Sequence, residues 1–368
     1  MRIAVIGTGI VGSCVAWNLT QMGAEVLMFD SGRPGAGVTN WSFSWVNASN
    51  KTQTREYFDL NVAGMSAYRD LAARFEDPQW CHLTGHLRWF DTVKGSETLR
   101  ADITHLQSWG YAATLWRADQ VLRLLEPEVV FPQADTAVGV YLDEGWVSGQ
   151  ALATLLTEDA IGRGASANFD APVTGIVVHG GRVGGVVSPG RDHVAVDAVV
   201  NSSGPAASEI AGFVGRKLPM RDEPGLVVRL LCDEVPVGRA MHAPHVEIRP
   251  DGVNQVLLHS RKIDARIDGT CSEESLAAEL VALGVEVVPA LEGAEVLSHN
   301  VAWRPTPGDG FPSVGGVGGL AGYYEAVTHS GITLGPILGR LLAEEIIHGT
   351  IPPLIAPYRP DRLSEVGT

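Results

Sequence analysis

The chain has 368 residues, of which 45% are hydrophobic and 19% charged, a composition typical of a globular protein with a sizeable core and one or two domains. The formal net charge of −15 argues against nucleic acid or an anionic membrane as a partner. No apolar run approaches the roughly 18 residues of a transmembrane helix. Because the first strand begins at Arg2, we expect no signal peptide and a cytoplasmic location.

The first thirty residues form the most informative stretch of the sequence. The apolar run Arg2–Ile6 predicts a buried parallel strand, a helix follows to about Met22, and a second strand, Glu25–Phe29, ends in Asp30. The turn between the first strand and the helix reads Gly7-Thr-Gly9-Ile10-Val11-Gly12, which fits the dinucleotide-binding pattern G-x-G-x-x-G.

Each part of this unit has a physical task in binding a dinucleotide. Gly7 permits the tight turn, Gly9 lets the backbone approach a pyrophosphate, and Gly12 lets the helix pack close to the strand. The helix N-terminus offers N–H groups and a positive dipole end to the phosphates, and Asp30 can accept hydrogen bonds from ribose. The unit predicts a dinucleotide but does not distinguish FAD from NAD.

A Gly- and Pro-rich loop, Ser31–Gly37, follows the acidic residue. Arg33 in this loop has two interpretations, a phosphate or adenine contact and a solvated charge. The next segment, Val38–Ala48, alternates small polar residues with Trp41, Phe43 and Trp45. It predicts either a segment lying against a flat aromatic ring or an ordinary strand with period 2.

The rest of the chain alternates predicted helices and strands. Helices are expected at Thr54–Phe75, Gly95–Trp109, Arg117–Glu126, Gln150–Arg163, Ser272–Leu283 and Ile332–His348. Strands are expected at His82–Phe90, Val138–Tyr141, Pro172–Val178, Arg182–Ser188, Val194–Val200 and Gly322–Thr328, with several more between Leu226 and Ser260 and a turn at Asp143–Ser148. The cysteines, Cys14, Cys81, Cys232 and Cys271, have no metal or disulfide spacing and are expected to be reduced thiols.

Taken together, these landmarks resemble the FAD-dependent D-amino acid oxidase-like family, which includes glycine oxidase, sarcosine oxidase and D-amino acid dehydrogenases. The resemblance covers nearly the whole chain. It rests on the first unit together with Glu144-Gly-x-Val147, Pro172-Val173, Val199-Val-Asn-Ser-Ser-Gly204, Arg304-Pro-Thr-Pro-Gly-Asp-Gly310 and His329-Ser-Gly331. The chain departs from the family in having Asp30 where Glu is usual, and in the two tryptophans of the segment 39–48.

The resemblance implies a fold and a set of cofactor residues. The fold class is α/β (α+β overall), with a Rossmann-like FAD-binding domain of residues 1–80, 140–222 and 300–368 and an antiparallel-sheet substrate domain of residues 81–139 and 223–299. The FAD is expected to be noncovalent, because Val301 stands near the position of the attaching Cys in covalent members. The cofactor residues are Gly7, Gly9, Ile10, Val11, Gly12, Asp30, Ser31, Arg33, Thr39, Trp41, Ser42, Val173, Ser203, Gly204, Arg304, His329, Ser330, Gly331, Ile332 and Thr333.

The implied reaction is oxidation of the C–N bond of a small amine or amino acid by hydride transfer to flavin N5, followed by imine hydrolysis, with oxygen or a quinone as electron acceptor. The catalytic candidates are Arg304, as a bidentate carboxylate anchor, Lys51 and His259. Each also has a non-catalytic interpretation: an ion pair for Arg304, a solvated side chain for Lys51 and a structural histidine for His259. The rival functions are an NAD(P)-dependent dehydrogenase, a flavin-bearing subunit that acts with a partner, and an idle sensor. The oligomeric state stays open.

Overall fold

The computed structural model describes residues 1–75 and 78–365. In this part of the chain the strands are β1 (Arg2–Ile6), β2 (Glu25–Phe29), β3 (Trp45–Val46), β4 (Cys81–His82), β5 (His86–Trp89), β6 (Thr114–Arg117), β7 (Ala137–Tyr141), β8 (Gly145–Val147), β9 (Ser166–Asn168), β10 (Gly175–His179), β11 (Arg182–Ser188), β12 (Arg191–Ala195), β13 (Ala198–Asn201), β14 (Pro224–Leu231), β15 (Ala240–His242), β16 (Glu247–Pro250), β17 (Gln255–His259), β18 (Glu295–Trp303), β19 (Ser313–Gly316) and β20 (Tyr323–Val327). The α-helices are α1 (Ile10–Gln21), α2 (Arg55–Ala72), α3 (Val93–Ser108), α4 (Ala118–Leu124), α5 (Gly149–Gly162), α6 (Ala207–Gly212), α7 (Arg261–Asp264), α8 (Glu273–Val287) and α9 (Gly331–His348).

Two large sheets organise the molecule. The first has the order β19-β20-β13-β1-β2-β9 and is parallel except for β19. The second has the order β18-β14-β17-β16-β15-β5-β7-β6 and is antiparallel except where β15 pairs with β5. This architecture confirms the α/β fold class with a Rossmann-like sheet and a mostly antiparallel second sheet.

The strands of the antiparallel sheet come from two parts of the chain, residues 86–141 and residues 224–303. The proposed substrate domain, residues 81–139 and 223–299, contains most of them. The domain bounds stay a proposal, and their FAD-binding segments include residues 76–77 and 366–368, which lie outside the described residues.

The helices form where the sequence supplies caps and small residues. Thr54 and Ser272 cap α2 and α8 by accepting hydrogen bonds from the backbone N–H groups of Tyr57 and Ser275. Helix α9 packs across α1, and a Cβ at Gly339 would lie 2.6 Å from the backbone carbon of Cys14. The absence of a side chain at this position lets the two helices approach closely over the parallel sheet.

Several predicted elements are wrong in detail. The apolar run 194–200 is two strands, because the chain leaves the sheet of β12 and joins the parallel sheet as β13, with the intervening Asp197 accepting from the N–H of Arg2 at 2.6 Å. The turn expected at 143–148 contains β8, and the strand expected at 82–90 is divided between β4 and β5 around Gly85, whose φ is +103°. The first of the hairpin strands begins at Gly175 rather than Pro172.

The contact between α1 and α9 generates a stability prediction. Gly339→Val places a side chain into the backbone of α1, so we expect a loss of about 2–3 kcal/mol in the free energy of unfolding, measured by urea denaturation. Gly162→Val is the matched control, because a Cβ at Gly162 meets nothing within 4 Å. An equal loss in both variants would show that the α1–α9 contact is not closely packed.

Candidate active site

The carboxyl ends of four neighbouring strands meet at one edge of the parallel sheet. Strand β1 leads to Gly7, β2 to Asp30, β13 to Ser202 and β20 to Thr328. Gly7 has a φ of +96°, and a Cβ there would lie 2.5 Å from the carbonyl oxygen of Ser202, so only glycine fits this turn between the two loops. A ligand site at this edge is the arrangement that open parallel sheets commonly provide.

A cavity of about 390 Å³ opens along this edge, and we call it the nucleotide cavity. Its walls include most of the predicted cofactor residues, namely Gly7, Gly9, Ile10, Val11, Asp30, Ser31, Arg33, Thr39, Ser42, Val173, Ser203, Gly204, His329, Gly331 and Ile332. The structure places the others elsewhere: Gly12 packs behind the turn against Gly7, whereas Trp41, Arg304, Ser330 and Thr333 line the adjoining cavity described below.

The carboxylate of Asp30 stabilises the glycine turn through hydrogen bonds. Its Oδ2 accepts from the backbone N–H of Thr8 at 2.6 Å and from the Thr8 hydroxyl at 2.8 Å, while Oδ1 accepts from Gly32 N–H at 2.9 Å. Asp30 therefore holds the loops after β1 and β2 together at the cavity wall. Arg33 is largely exposed, with its Nη2 3.4 Å from Asp170 Oδ2, which agrees better with a solvated charge than with a buried phosphate contact.

Two further cavities continue from the nucleotide cavity. A middle cavity of about 140 Å³ shares Val38, Ser42, Pro305, His329 and Ile332 with it. A vestibule of about 770 Å³ shares Trp45, Asn50, Lys51, His242, Glu247, Arg261 and His329 with the middle cavity. The three cavities thus form a continuous series from the edge of the parallel sheet to the antiparallel sheet.

The segment with alternating aromatic residues forms one wall of this series. Only Trp45–Val46 is a strand, so the prediction of an ordinary strand is wrong for most of the segment. Ser44 has a φ of +54°, which is rare for a residue with a side chain. Arg229 lies over the Trp41 ring at 4.7 Å, and Arg249, buried under this segment, donates to the carbonyl oxygen of Phe43 at 2.6 Å.

Lys51 is buried, so the interpretation of Lys51 as a solvated side chain is wrong. Its exposed fraction is 9%, and it lines both the middle cavity and the vestibule. Burial, together with the charge of Arg261, lowers the pKa of Lys51 to about 8 even though Glu144 acts in the opposite direction. Burial and the charge of Lys51 also lower the pKa of His329 to about 3, so this histidine is neutral.

Arg304 lines the middle cavity, but its guanidinium already has a carboxylate partner. Nη2 pairs with Asp264 Oδ2, and Nη1 donates to the carbonyl oxygen of Pro224 at 2.7 Å. The ion pair is the alternative interpretation that the sequence left open for this arginine. It places Arg304 at the edge of β14, against Gly225, where a Cβ would lie 2.5 Å from Nη2.

His259 lies between two buried carboxylates. Its Nδ1 is 2.5 Å from Glu247 Oε2, and its Nε2 is 2.8 Å from Asp264 Oδ2. Burial alone would lower the pKa of His259, but the two carboxylates raise it to about 9. His259 is therefore protonated at neutral pH and donates through both ring nitrogens, while the pKa of Glu247 is held well below its ordinary value.

The same array continues through a second pair of histidines, of which His242 lines the middle cavity and the vestibule. His242 Nε2 lies 3.4 Å from Glu247 Oε1, and His86 Nε2 lies 2.8 Å from His242 Nδ1. Burial lowers the pKa of both histidines, so both are neutral. His245 lies at the vestibule, where its Nε2 is 3.3 Å from Asp91 Oδ2.

Three functional residues of this region are not recognisable from the sequence. Glu247 and Asp264 lie in stretches without a motif, and only the folding of β16, β17 and α7 brings them to His259. Tyr57 lies in the predicted helix Thr54–Phe75, and its hydroxyl lies 2.8 Å from the Ser330 hydroxyl at the start of α9. The pattern that predicts a helix does not show which tyrosine hydroxyl finds a polar partner on another element.

Comparisons with known proteins agree with this geometry. A family model described as DAO, FAD dependent oxidoreductase, matches residues 2–345. Glycine oxidase of Pseudomonas putida is 26% identical over 373 residues, covering 98% of both chains. D-proline dehydrogenase of Pyrobaculum islandicum is 25% identical over 377 residues, covering 94% of this chain and 95% of the relative. The solved structure of glycine oxidase from Geobacillus kaustophilus has a TM-score of 0.85 and 21% identity, covering 97% of this chain and 98% of its own.

The walls of the nucleotide cavity fit the FAD that the family uses. Gly9 and Gly204 line the cavity without side chains; a Cβ at Gly204 would meet nothing within 4 Å, which leaves space beside the backbone. Helices α1 and α9 both begin at the cavity, at Ile10 and Gly331, and direct their N-terminal dipoles toward it.

No α-helix of the described residues is long and apolar enough to cross a membrane.

The raised pKa of His259 predicts a pH-dependent contribution to stability. Its folded value, about 9, exceeds the ordinary 6.5, so the contribution is complete below about pH 6.5 and is lost as pH rises through about 9. We expect the stability difference between the wild type and His259→Gln to shrink by on the order of 2 kcal/mol between about pH 6.5 and about pH 9.5. Urea denaturation at both pH values measures it; a difference independent of pH would contradict the protonated state.

Proposed function

Because the chain belongs to the DAO family of FAD-dependent oxidoreductases, we propose that it oxidises the C–N bond of a small amine or amino acid. It is an enzyme of the amino acid oxidase and dehydrogenase type that uses FAD. The observation that supports the proposal is the continuity of the nucleotide cavity with the middle cavity at Ser42, His329 and Ile332. A flavin held at this junction would have a small chamber on the side of the antiparallel sheet.

The predicted cofactor residues divide between the two halves of FAD. The glycine turn, Asp30, Val173 and the Ser203–Gly204 loop would hold the ADP half, and the first turn of α9 would lie at the pyrimidine end. Noncovalent attachment stays our prediction, because Val301 is on β18 and none of the described cysteines lines the three cavities.

The second part of the proposal concerns the chemistry. Bound FAD would accept the hydride from the carbon that bears the amine, and the imine product would then hydrolyse in water. The chain's own task is to hold the substrate in the middle cavity and to keep the reacting carbon at the junction. Trp45 and His329 form its walls, and Lys51, His259 and Arg304 are the charged groups from which the substrate anchor is to be chosen. Oxygen or a quinone would reoxidise the flavin.

The relatives support an amino acid as the substrate. The glycine oxidases and D-proline dehydrogenase are named for small amino acids, and the middle cavity, at about 140 Å³, suits a substrate of this size.

Anaerobic reduction tests the proposed reaction. The purified protein should absorb near about 450 nm, and this band should bleach when the correct small amino acid or amine is added without oxygen, because electrons enter the flavin. A panel of glycine, D- and L-amino acids and secondary amines identifies the substrate class. The proposal fails if no amine bleaches the flavin, and an NAD(P)-dependent reaction without bound flavin would establish the rival enzyme.

Gly9→Val tests the assignment of the nucleotide cavity. A side chain there would point toward Thr39 Oγ1, 3.1 Å from the Cβ position, and would occupy cavity space. We expect FAD affinity to be at least about tenfold weaker. The flavin content of the purified protein and titration of the stripped protein with FAD measure it. The melting temperature of the stripped protein should be unchanged. Gly212→Val, outside the cavity and with no atom within 4 Å of its Cβ position, is the control. Normal FAD binding by Gly9→Val would refute the assignment.

A further inference from the structure

The ammonium group of Lys51 is the anomalous charge of this structure. The side chain is more than nine-tenths buried, and the ammonium forms no hydrogen bond or ion pair with the residues that the structure describes. Buried charges in proteins normally have a partner, because an unpaired one is costly. A buried cation that lines a cavity and has no partner in the chain calls for an anionic ligand.

The other two candidate cations of the middle cavity, Arg304 and His259, are already neutralised. Arg304 and His259 converge on the same oxygen of Asp264, and His259 also donates to Glu247. These four groups carry two positive and two negative charges, so the array has no net charge. Withdrawing Arg304 toward a substrate would leave the buried carboxylate of Asp264 short of a partner, which is strongly unfavourable.

The surroundings of Lys51 suit a carboxylate. Asn50 lines the same two cavities, and its Oδ1 accepts from Asn47 Nδ2 at 2.6 Å, so its own amide N–H groups face no partner within the described residues. Arg261 lines both cavities as well and is 74% exposed at its side chain. An ammonium with a neighbouring amide donor can bind the two oxygens of one carboxylate.

We propose that Lys51, assisted by Asn50, is the anchor for the carboxylate of the substrate at the junction of the middle cavity and the vestibule, and that Arg304 is structural. This inference rests on the proposed function, since it names the group that selects amino acids over simple amines. It assigns to Lys51 a binding role and to Arg304 the task of holding Asp264 and His259 at the wall.

The inference implies a defined pH dependence. Only the ammonium form of Lys51 binds an anion strongly, so affinity should fall as pH rises through about 8. The other titratable or charged groups that face Lys51 are Glu144 behind it and His242, Glu247, Arg261 and His329 around the cavities, with His259 beyond. Of these, His259 also titrates at alkaline pH, so a variant that alters Lys51 alone is needed to separate the two.

Calorimetric titration of the FAD-loaded protein with propionate, a carboxylate that has no amine to oxidise, tests the anchor. Propionamide is the neutral matched ligand. We expect Lys51→Met to weaken propionate at least about tenfold, whereas Arg304→Met lowers the melting temperature but changes the affinity less than about threefold. Lys262→Met, an exposed lysine of the vestibule, is the control for a general loss of positive charge and should bind as the wild type does.

Lys51→Arg keeps the charge but does not titrate in this range. It should retain propionate binding and remove the decline above about pH 8, although His259 is unchanged. The inference is overturned if Arg304→Met abolishes propionate binding while Lys51→Met does not, if propionamide binds as tightly as propionate, or if Lys51→Arg declines with pH as the wild type does.

The outcome for the anchor is separable from that for the proposed function. Propionate binding that depends on Lys51 in a protein whose flavin no amine reduces would support the anchor and refute the oxidation. Reduction by an amino acid with the same KM in Lys51→Met and wild type would support the oxidation and refute the anchor.

Discussion

The buried carboxylate of Glu144 is the constraint on which the site depends. It accepts hydrogen bonds from the Tyr111 hydroxyl at 2.6 Å, the backbone N–H of Ser49 at 2.9 Å and the indole N–H of Trp45 at 3.0 Å. Burial alone would raise the pKa of Glu144, but its contacts with His86 and these donors keep it lower than usual, so it is ionised. One charge thus fixes the ends of the segment that begins at Trp45 and leads directly into Lys51.

The position of Trp45 follows from this anchoring. Its ring packs against those of both His86 and His242, with centroid distances of 4.4 and 4.2 Å. The two histidines are neutral and are held by Glu144 at one end and Glu247 at the other. The wall of the middle cavity is therefore continuous with an array of histidines and carboxylates that runs along the antiparallel sheet. Because the nucleotide cavity lies at the edge of the parallel sheet, neither sheet alone contains the site.

Much of the cofactor side could be predicted from the sequence, because local patterns determine it. Gly7, Gly9 and Asp30 are fixed by a turn, a helix start and a strand end that are close together in the chain. The prediction of one strand at residues 194–200 was wrong, because the apolar pattern of a strand does not show which sheet the strand joins. The two parts of this run belong to different sheets, because the chain bends at Asp197 between β12 and β13.

The substrate side was less predictable for a different physical reason. Whether a cation is available depends on its partner, and the partners of Arg304 and His259 are Asp264 and Glu247 on other elements of the fold. Lys51 follows the aromatic segment, and its sequence allowed both a solvated side chain and a place on the substrate side. The hydrogen bonds from Ala48 and Ser49 to Glu144 hold the preceding residues inward. The sequence singled out three charged residues that line the middle cavity, and the fold determined which of them is left without a close counter-charge.

The absence of a side chain at Gly225 allows Arg304 to take its position in the site. The guanidinium of Arg304 occupies the space that a side chain at position 225 would take. Any larger residue there would displace the flexible end of the arginine and break its ion pair with Asp264, which would leave that buried carboxylate paired with His259. A single substitution in a strand could therefore change the balance of charge at the wall of the middle cavity without altering the cofactor site. Members of one fold family would then diverge in substrate preference while they keep the same redox chemistry.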